Sequence, residues 1–184
     1  MEKEHIKKNL DELELRMYNL AIYNISGIQA GIQSYHAGME YAVDIIEHLI
    51  AYSDPEYAKE FLKWAKEWKT VIIKNGGTSN SGEKGIYGFP ATKGSLNTYY
   101  DMLLEQNIKT LPFYEPDINN ALTSICFIVD ERVWDKKSDG NYPDYNSETA
   151  DFYDMSYDEW VDYIGGERNL FLRNVIQPLP LASN

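Results

Sequence analysis

The chain has 184 residues and a formal net charge of −12 at pH 7, with 43% hydrophobic and 14% aromatic residues. A chain of this length and composition can bury a core of its own, and its single cysteine, Cys126, excludes both a disulfide framework and a cysteine-rich metal site. The acidic balance argues against binding to duplex nucleic acid, because proteins that bind it usually carry a basic stripe.

Nothing in the sequence indicates a membrane or an export route. No stretch approaches the roughly 18 apolar residues of a membrane span, and the first residues, Met-Glu-Lys-Glu-His, lack the apolar region of a signal peptide. We therefore expect a cytoplasmic protein that has no membrane contact and no metal or other cofactor. The sequence leaves the oligomeric state open, homo-oligomers included.

The first predicted elements are a short helix, a strand and a long helix. Residues 2–14 place apolar side chains at helical spacing, and Met17 to Tyr23 is a strand-like run. Ser26 followed three residues later by Gln29 is a capping box, in which each side chain satisfies a backbone N–H group of the other residue. The long helix is therefore predicted to begin at Gly27 and to end near Tyr52.

The long helix carries two side-chain stripes. At about 100° per residue, Gln29, Gln33 and His36 fall on a polar stripe. The second stripe is apolar and consists of Ile28, Ile32, Tyr35, Met39, Ala42, Ile46 and Ile50. Small residues, among them Gly31 and Gly38, lie between the two, and glycine inside a helix costs roughly 0.5 to 1 kcal/mol relative to alanine. Close approach of another backbone or of a ligand would explain that cost.

The middle of the chain predicts a helix, a strand, a loop and a further helix. Pro55 is well placed in the first turn of a second helix. Thr70 to Ile73 is a β-branched run that predicts a buried strand, bounded by the Asn-Gly-Gly sequence at 75–77. A loop rich in Gly, Ser, Thr and Asn then runs from Asn75 to Gly94, and its length makes it a candidate functional loop. A helix from Ser95 to Gln106 follows.

Two further strands complete the predicted domain. They run from Ile108 to Tyr114 and from Ser124 to Val129, separated by a turn or short helix at Pro116 to Leu122. Strands that alternate with helices predict an α/β domain over residues 1–134, with a four-stranded mixed, mainly parallel sheet flanked by helices.

Residues 135–184 are predicted to form an acidic, tyrosine-rich extension. The segment from Glu131 to Arg168 contains 11 acidic and 4 basic residues. The tract up to Asp154 lacks apolar periodicity, which predicts a partly ordered surface strap that core folding does not need. A last helix is predicted from Tyr157, capped by Ser156 and interrupted at Gly165-Gly166.

Ligands of α/β sheets gather where strands end and helices begin, and several such places carry polar side chains. His36 can relay a proton near neutral pH, and Gln33 can orient a substrate amide. The carboxylates of Glu115 and Asp117 are candidates for a general base. Each candidate has a structural alternative: a histidine bonded to nearby backbone or to Glu40, an amide bonded to a loop, and the ordinary chemistry of a turn.

The loop after the second strand offers a different chemistry. Its residues Asn75, Gly76, Gly77, Thr78 and Ser79 could cradle a phosphate with backbone N–H groups and hydroxyls, or serve only as a flexible connection. Asn119, Asn120 and Gln29 are candidates for substrate contact, with turn formation and helix capping as their alternatives. We predict that Gln33 and His36 line one pocket with the Glu115 turn and the Asn75 loop.

The order of these elements carries a resemblance. A strand, a helix with Gln33-x-x-His36-Ala37, a tryptophan-containing helix that leads into a strand over Trp64–Lys74, a further helix and two strands around an acidic turn resemble the type II peptidyl-tRNA hydrolase family. The resemblance covers about residues 16 to 130. The chain also resembles tailed-phage proteins that share a similar Gln-x-x-x-Gln-x-x-His helix and Asn-Gly-Gly-Thr-Ser-Asn loop.

The resemblance implies the fold of that family, cleavage of the ester that joins a peptidyl or aminoacyl group to tRNA, and no metal cofactor. The family's lysine falls on Gln29, its acid on Glu115 or Asp117, and its threonine near Asn119 or Asn120. Two hypotheses follow. One is an esterase that acts on a tRNA-linked or similar phosphate-bearing substrate. The other is a catalytically silent protein of the same fold that binds a small ligand or a protein partner.

Overall fold

The computed structural model describes residues 10–79, 93–135, 141–145 and 155–182. The chain divides into two compact units. The sheet unit comprises Arg16–Val129 and Leu179–Asn184, and the C-terminal unit comprises Met1–Leu15 and Asp130–Pro178. Residues 10–15, which were predicted to belong with the sheet, group with the C-terminal unit. Residues 1–9 of the predicted first helix, 80–92 of the predicted loop, and 136–140 and 146–154 of the acidic tract lie outside the described residues.

The order of elements is that predicted from the sequence. It runs β1 (Leu15–Ile22), α1 (Gly27–Tyr52), α2 (Pro55–Lys63) with a π-helical turn (Trp64–Trp68), β2 (Val71–Gly77), α3 (Ser95–Glu105), β3 (Leu111–Glu115), a 3-10 turn (Pro116–Ile118) and β4 (Ala121–Asp130). The strand order is β2-β1-β4-β3, with β1 and β2 parallel and β3 and β4 antiparallel. The predicted α/β fold with a four-stranded mixed sheet flanked by helices is therefore confirmed.

The long helix α1 begins with the predicted capping box, in which Ser26 Oγ accepts from the Gln29 N–H and Gln29 Oε1 accepts from the Ser26 N–H. Its buried face is made of small residues and two larger ones, namely Ala30, Ser34, Ala37, Tyr41 and Ile45. The bulkier apolar stripe points outward instead, and Ile28 and Ile50 are about four-fifths exposed, at 80% and 79%. Small side chains let a helix lie close to the sheet, so they decide which face packs. No helix in the described ranges is long and apolar enough to cross a membrane.

The second strand is an edge strand and is longer than predicted. It continues through Asn75, Gly76 and Gly77, which were predicted to belong to the loop. Its outer edge pairs with the end of the chain, because the Asn75 N–H donates to the Pro180 carbonyl and the Ala182 N–H donates to the Ile73 carbonyl. One side of β2 is partly exposed, as is common for edge strands, so the prediction of a buried strand was wrong.

The fourth strand is buried along its whole length, which explains its continuous apolar sequence. It contains a β-bulge. Phe113 pairs with Ser124 and Tyr114 pairs with Leu122, so Thr123 is an extra residue without a partner on β3. A bulge changes the direction in which side chains point along a strand, and here it brings the Thr123 side chain to the side of the sheet that faces α1.

The C-terminal unit contains two short helices, α4 (Tyr157–Tyr163) and α5 (Gly166–Phe171), and α5 is extended by a π-helical segment (Leu172–Ile176). The predicted cap at Ser156 is present as a capping box with Glu159. The predicted break also occurs, because Gly165 and Gly166 adopt left-handed backbone conformations with φ of 102° and 81°. Trp160, Val161 and Ile164 form the apolar core of this unit.

A fully buried arginine, Arg173, joins separate segments of the C-terminal unit by hydrogen bonds. The Arg173 guanidinium donates to the carbonyls of Arg132 (2.7 Å) and Tyr142 (3.0 Å) and to the Asp144 carboxylate (2.7 Å). The Tyr142 side chain is itself buried. The part of the tract at 141–145 therefore packs within this unit, because it supplies acceptors to a buried charge. That folding of the sheet does not need the tract stays a prediction.

Candidate functional site

Gln33 connects α1 to the ends of both β3 and β4. Its side-chain nitrogen Nε2 donates to Glu115 Oε2 at 2.7 Å, and its oxygen Oε1 accepts from Thr123 Oγ1 at 2.5 Å. The bulge in β4 places Thr123 where its hydroxyl reaches the amide. Because both ends of the amide are bonded, Gln33 holds one oxygen of the Glu115 carboxylate in a fixed position.

His36 lies less than one helical turn beyond Gln33 and packs on β3. Its ring meets the Phe113 ring edge to face, with centroids 4.5 Å apart. Nδ1 is buried and has no hydrogen-bond partner within the described residues. The structural alternative for this histidine, a bond to nearby backbone or to Glu40, therefore does not apply to Nδ1. Gln33 thus contacts Glu115 at the end of β3, and His36 packs on Phe113, two residues earlier on the same strand.

The two predicted acids differ in their surroundings. Glu115 is half-buried and bonded to Gln33, whereas Asp117 is exposed on the 3-10 turn after β3. Asn119 and Asn120 follow that turn and are exposed, and both adopt left-handed conformations with φ of 58° and 54°. Asparagine tolerates this conformation better than most residues, so the turn explains their presence in the sequence.

The predicted pocket shared by the Glu115 turn and the Asn75 loop does not form in the described part of the chain. The strand order places β2 and β3 at opposite edges of the sheet, and three strand spacings separate them by roughly 14 Å. Asn75, Gly76 and Gly77 on β2 are therefore remote from Glu115. Sequence reasoning placed both segments at strand ends but could not supply the order of the strands.

Two backbone N–H groups of the segment from Asn75 to Ser79 donate to side chains of the protein. The Gly77 N–H donates to Asn75 Oδ1 (2.8 Å) and the Thr78 N–H donates to Ser95 Oγ (2.9 Å), so these donors are occupied. The Ser95 N–H in turn donates to Thr78 Oγ1, and Ser79 Oγ lies at the hydrogen-bonding limit from Asn97 Oδ1, at 3.5 Å. The segment anchors the start of α3, so the N–H groups of Gly77 and Thr78 are not available to an anion, and the anion-binding role of the loop stays a prediction.

Replacement of two glycines of the sheet unit by alanine is expected to change the free energy of unfolding in opposite directions. A Cβ at Gly76 would lie 2.6 Å from Leu96 Cδ1 and 3.1 Å from Leu20 Cβ, whereas a Cβ at Gly31 would meet nothing within 4 Å. We expect Gly76→Ala to lower the free energy of unfolding by roughly 1 to 3 kcal/mol and Gly31→Ala to raise it by up to about 1 kcal/mol. Urea denaturation of both variants measures this, and equal shifts of the same sign would contradict the packing described.

Gln29 is exposed at the start of α1 and its side-chain oxygen belongs to the capping box. Its position on the helix leaves it one turn before Gln33, on the same stripe. No hydrogen bond or ion pair joins a lysine or arginine of the described ranges to Gln33, His36 or Glu115. The described residues also contain no cluster of three or more His, Cys, Asp or Glu side chains that could hold a metal ion.

Sequence reasoning missed two residues that face α1 from the sheet. Thr123 completes the Gln33 contact, and its signal was a hydroxyl pair, Thr-Ser, at the start of an otherwise apolar strand. Asn19 is fully buried in the middle of β1, and the sequence signal for it was an amide residue among apolar neighbours.

Comparison of the chain with protein-family models, with curated proteins and with solved structures found no match.

Proposed function

We propose that this protein is a hydrolase of the peptidyl-tRNA hydrolase type, which cleaves an ester between a peptidyl or aminoacyl group and tRNA. The observation that carries the proposal is the Gln33 amide held between Glu115 and Thr123, with His36 beside it. A carboxylate fixed by one oxygen at a strand end is suited to act as a general base. The order of elements in the sheet unit is also the order that the resemblance implies.

In the proposed reaction, Glu115 accepts a proton from a water molecule while the water oxygen attacks the ester carbonyl. The tetrahedral intermediate then collapses, the bond to the ribose oxygen breaks, and Glu115 returns the proton to that oxygen. The products are a free carboxylic acid and a tRNA with its ribose hydroxyl restored. Gln33 acts as a positioning residue, since it holds Glu115 Oε2 and leaves Oε1 to meet the water.

The remaining roles are assigned by position. His36 lies on the same face of α1 as Gln33 and is proposed to donate to the substrate carbonyl or to a phosphate. Gln29 lies where the resembling family has a lysine, and is proposed to contact the substrate as a neutral donor. A neutral amide stabilises developing negative charge less than a cation does, so we expect slow turnover by the natural sequence.

The first test uses an N-acetylated aminoacyl-tRNA as substrate and removes the base. Glu115→Gln keeps the shape of the side chain and an acceptor for Gln33, but cannot take a proton. We expect kcat/KM to fall by roughly 100-fold or more. Glu105→Gln, an exposed acid at the end of α3, is the matched control and should leave the rate unchanged. Hydrolysis is followed by release of the acylated amino acid.

The second test restores the cation. Gln29→Lys is expected to raise kcat/KM by about 10 to 150-fold, because one charge-assisted donor contributes on the order of 1.5 to 3 kcal/mol. His36→Ala is expected to lower whatever activity is present. If wild type and Gln29→Lys are both inert where an authentic peptidyl-tRNA hydrolase turns over, the enzymatic proposal is wrong and the silent, ligand-binding alternative replaces it.

A further inference from the structure

The outward face of α1 carries an exposed apolar stripe, called here the outer stripe. Its seven side chains are between 43% and 80% exposed. They are Ile28, Ile32, Tyr35, Met39, Val43, Ile46 and Ile50. At 100° per residue the seven fall within an arc of about 80°, on the opposite side of the helix from buried residues such as Ala37 and Tyr41. No charged residue of α1 falls within that arc.

The area of the outer stripe is large for a surface that meets only water. With about 200 Å² for a fully exposed large side chain, the stripe presents on the order of 800 Å² of apolar surface. The largest apolar patch on a typical monomer measures roughly 300 to 600 Å². Each partner in a protein–protein interface of standard size buries about 800 Å². The outer stripe is therefore large enough to supply one side of a stable interface.

The residues of the outer stripe are arranged symmetrically about Met39, which lies at the midpoint of α1 (Gly27–Tyr52). Each of the other six has a counterpart at the same distance in sequence on the other side of Met39. The pairs are Ile28 with Ile50, Ile32 with Ile46, and Tyr35 with Val43. Helical periodicity accounts for the spacing, but it does not account for isoleucine at both ends or for a flexible methionine at the centre.

This symmetry identifies the partner that the outer stripe fits. In a dimer with two-fold symmetry the same patch meets itself, so the patch must be complementary to its own copy. We propose that the outer stripe is the interface of a homodimer, in which two α1 helices pack antiparallel about a two-fold axis at Met39. Isoleucine then meets isoleucine at both ends, and the large Tyr35 meets the smaller Val43. An unrelated partner would not require a symmetric stripe.

The flanks of the outer stripe suit this interface. Gly38 and Ala42 lie beside Met39 on one flank, and small side chains near the axis let two helices approach closely. Glu40 and Glu47 are exposed on the other flank, where they form a polar rim in contact with water. The proposal goes beyond the proposed function and does not depend on it, because the outer stripe contains none of the residues assigned to hydrolysis.

The first measurement is the mass of the full chain in solution, by sedimentation velocity at micromolar concentration. We expect the wild type to have twice the mass of one chain. Ile46→Glu is expected to raise the dissociation constant of the dimer by roughly 100-fold or more, because two carboxylates per dimer would enter an apolar interface. The matched control is Leu104→Glu, which places the same charge at an exposed apolar position of α3 and should leave the dimer intact.

The second measurement maps the register of the two helices with a short bismaleimide. Met39→Cys is expected to give a cross-linked dimer, because its two copies meet at the axis. Ile28→Cys alone should give none, since its two copies lie about 33 Å apart along the helices. A mixture of Ile28→Cys and Ile50→Cys should cross-link after subunit exchange. The wild type is the control, because its single thiol, Cys126, is fully buried.

Three results would overturn the proposal. A monomeric wild type would leave the outer stripe to a different partner, such as an amphipathic helix of another protein. A dimer that Ile46→Glu weakens no more than Leu104→Glu does would place the interface elsewhere. Efficient cross-linking of Ile28→Cys to its own copy would show a parallel pair of helices. None of these results bears on the hydrolase, because hydrolysis is measured separately.

Discussion

Arg173→Met is expected to lower the free energy of unfolding of the C-terminal unit by roughly 3 to 5 kcal/mol. The guanidinium is completely buried and donates to two backbone carbonyls, those of Arg132 and Tyr142. Hydrogen bonds from a charged donor contribute about 1.5 to 3 kcal/mol each, and an acceptor left buried without a partner adds its desolvation cost. Methionine matches much of the volume and none of the donors. Urea denaturation followed by the NMR signal of the Trp160 indole N–H measures the loss.

The matched control for this variant is Asp144→Asn. The Asp144 side chain is 63% exposed, so its ion pair with Arg173 is screened by solvent and we expect a loss below about 1 kcal/mol. Arg173→Lys should fall between the two, because an ammonium keeps the charge but not the planar fork that reaches several acceptors. Equal losses for Arg173→Met and Asp144→Asn would contradict the assignment of the stabilisation to the carbonyls.

The thiol of Cys126 is expected to react with a disulfide reagent such as Ellman's reagent at least 10³-fold more slowly in the native protein than in urea. Cys126 is fully buried on β4 and its Sγ donates to the Ala37 carbonyl at 3.0 Å. Burial raises the pKa of the thiol well above its ordinary value, so the reactive thiolate forms only after opening. As the chain has a single cysteine, the absorbance change reports this site. A native rate within about tenfold of the unfolded rate would contradict the burial.

The same group predicts a dependence of stability on pH. Above about pH 8.5 the thiol of the unfolded chain loses its proton, while burial keeps the folded thiol protonated. The unfolded state then binds fewer protons than the native state, so stability falls as pH rises. We expect the stability of the wild type relative to Cys126→Ala to fall by about 1.4 kcal/mol per pH unit above that point. A pH-independent difference would show that Cys126 ionises equally in both states.

Local chemistry was predictable from the sequence wherever a few neighbouring residues decide the outcome. The capping boxes at Ser26 and Ser156 placed two helix starts correctly, and the glycine pair at 165–166 placed a break. The contact of Gln33 with Glu115 was also within reach, because helical phase and a strand end bring the two together.

Features that depend on the whole sheet were not predictable in the same way. The strand order separates Asn75 from Glu115, and no local pattern encodes that order. The packed face of α1 follows from how closely the helix approaches the sheet, so Ala30 and Ala37 are buried while Ile28 is exposed. Gly76 was assigned to a loop because the segment is rich in glycine. The structure requires glycine at this position because Leu96 packs against it.

The bulge at Thr123 means that the candidate site depends on one inserted residue. Deletion of Thr123 would join Leu122 directly to Ser124 and restore a regular ladder with β3. Alternate residues of a strand face opposite sides. The position opposite Gln33 would therefore lose the Thr123 hydroxyl, and the neighbouring Leu122, which belongs to the other face, would not restore it. A gain or loss of a single codon at this position could therefore create or abolish the Gln33 clamp while the four strands persist. In an evolutionary comparison, the length of the segment between Glu115 and Cys126 would separate chains that keep this arrangement from chains that do not.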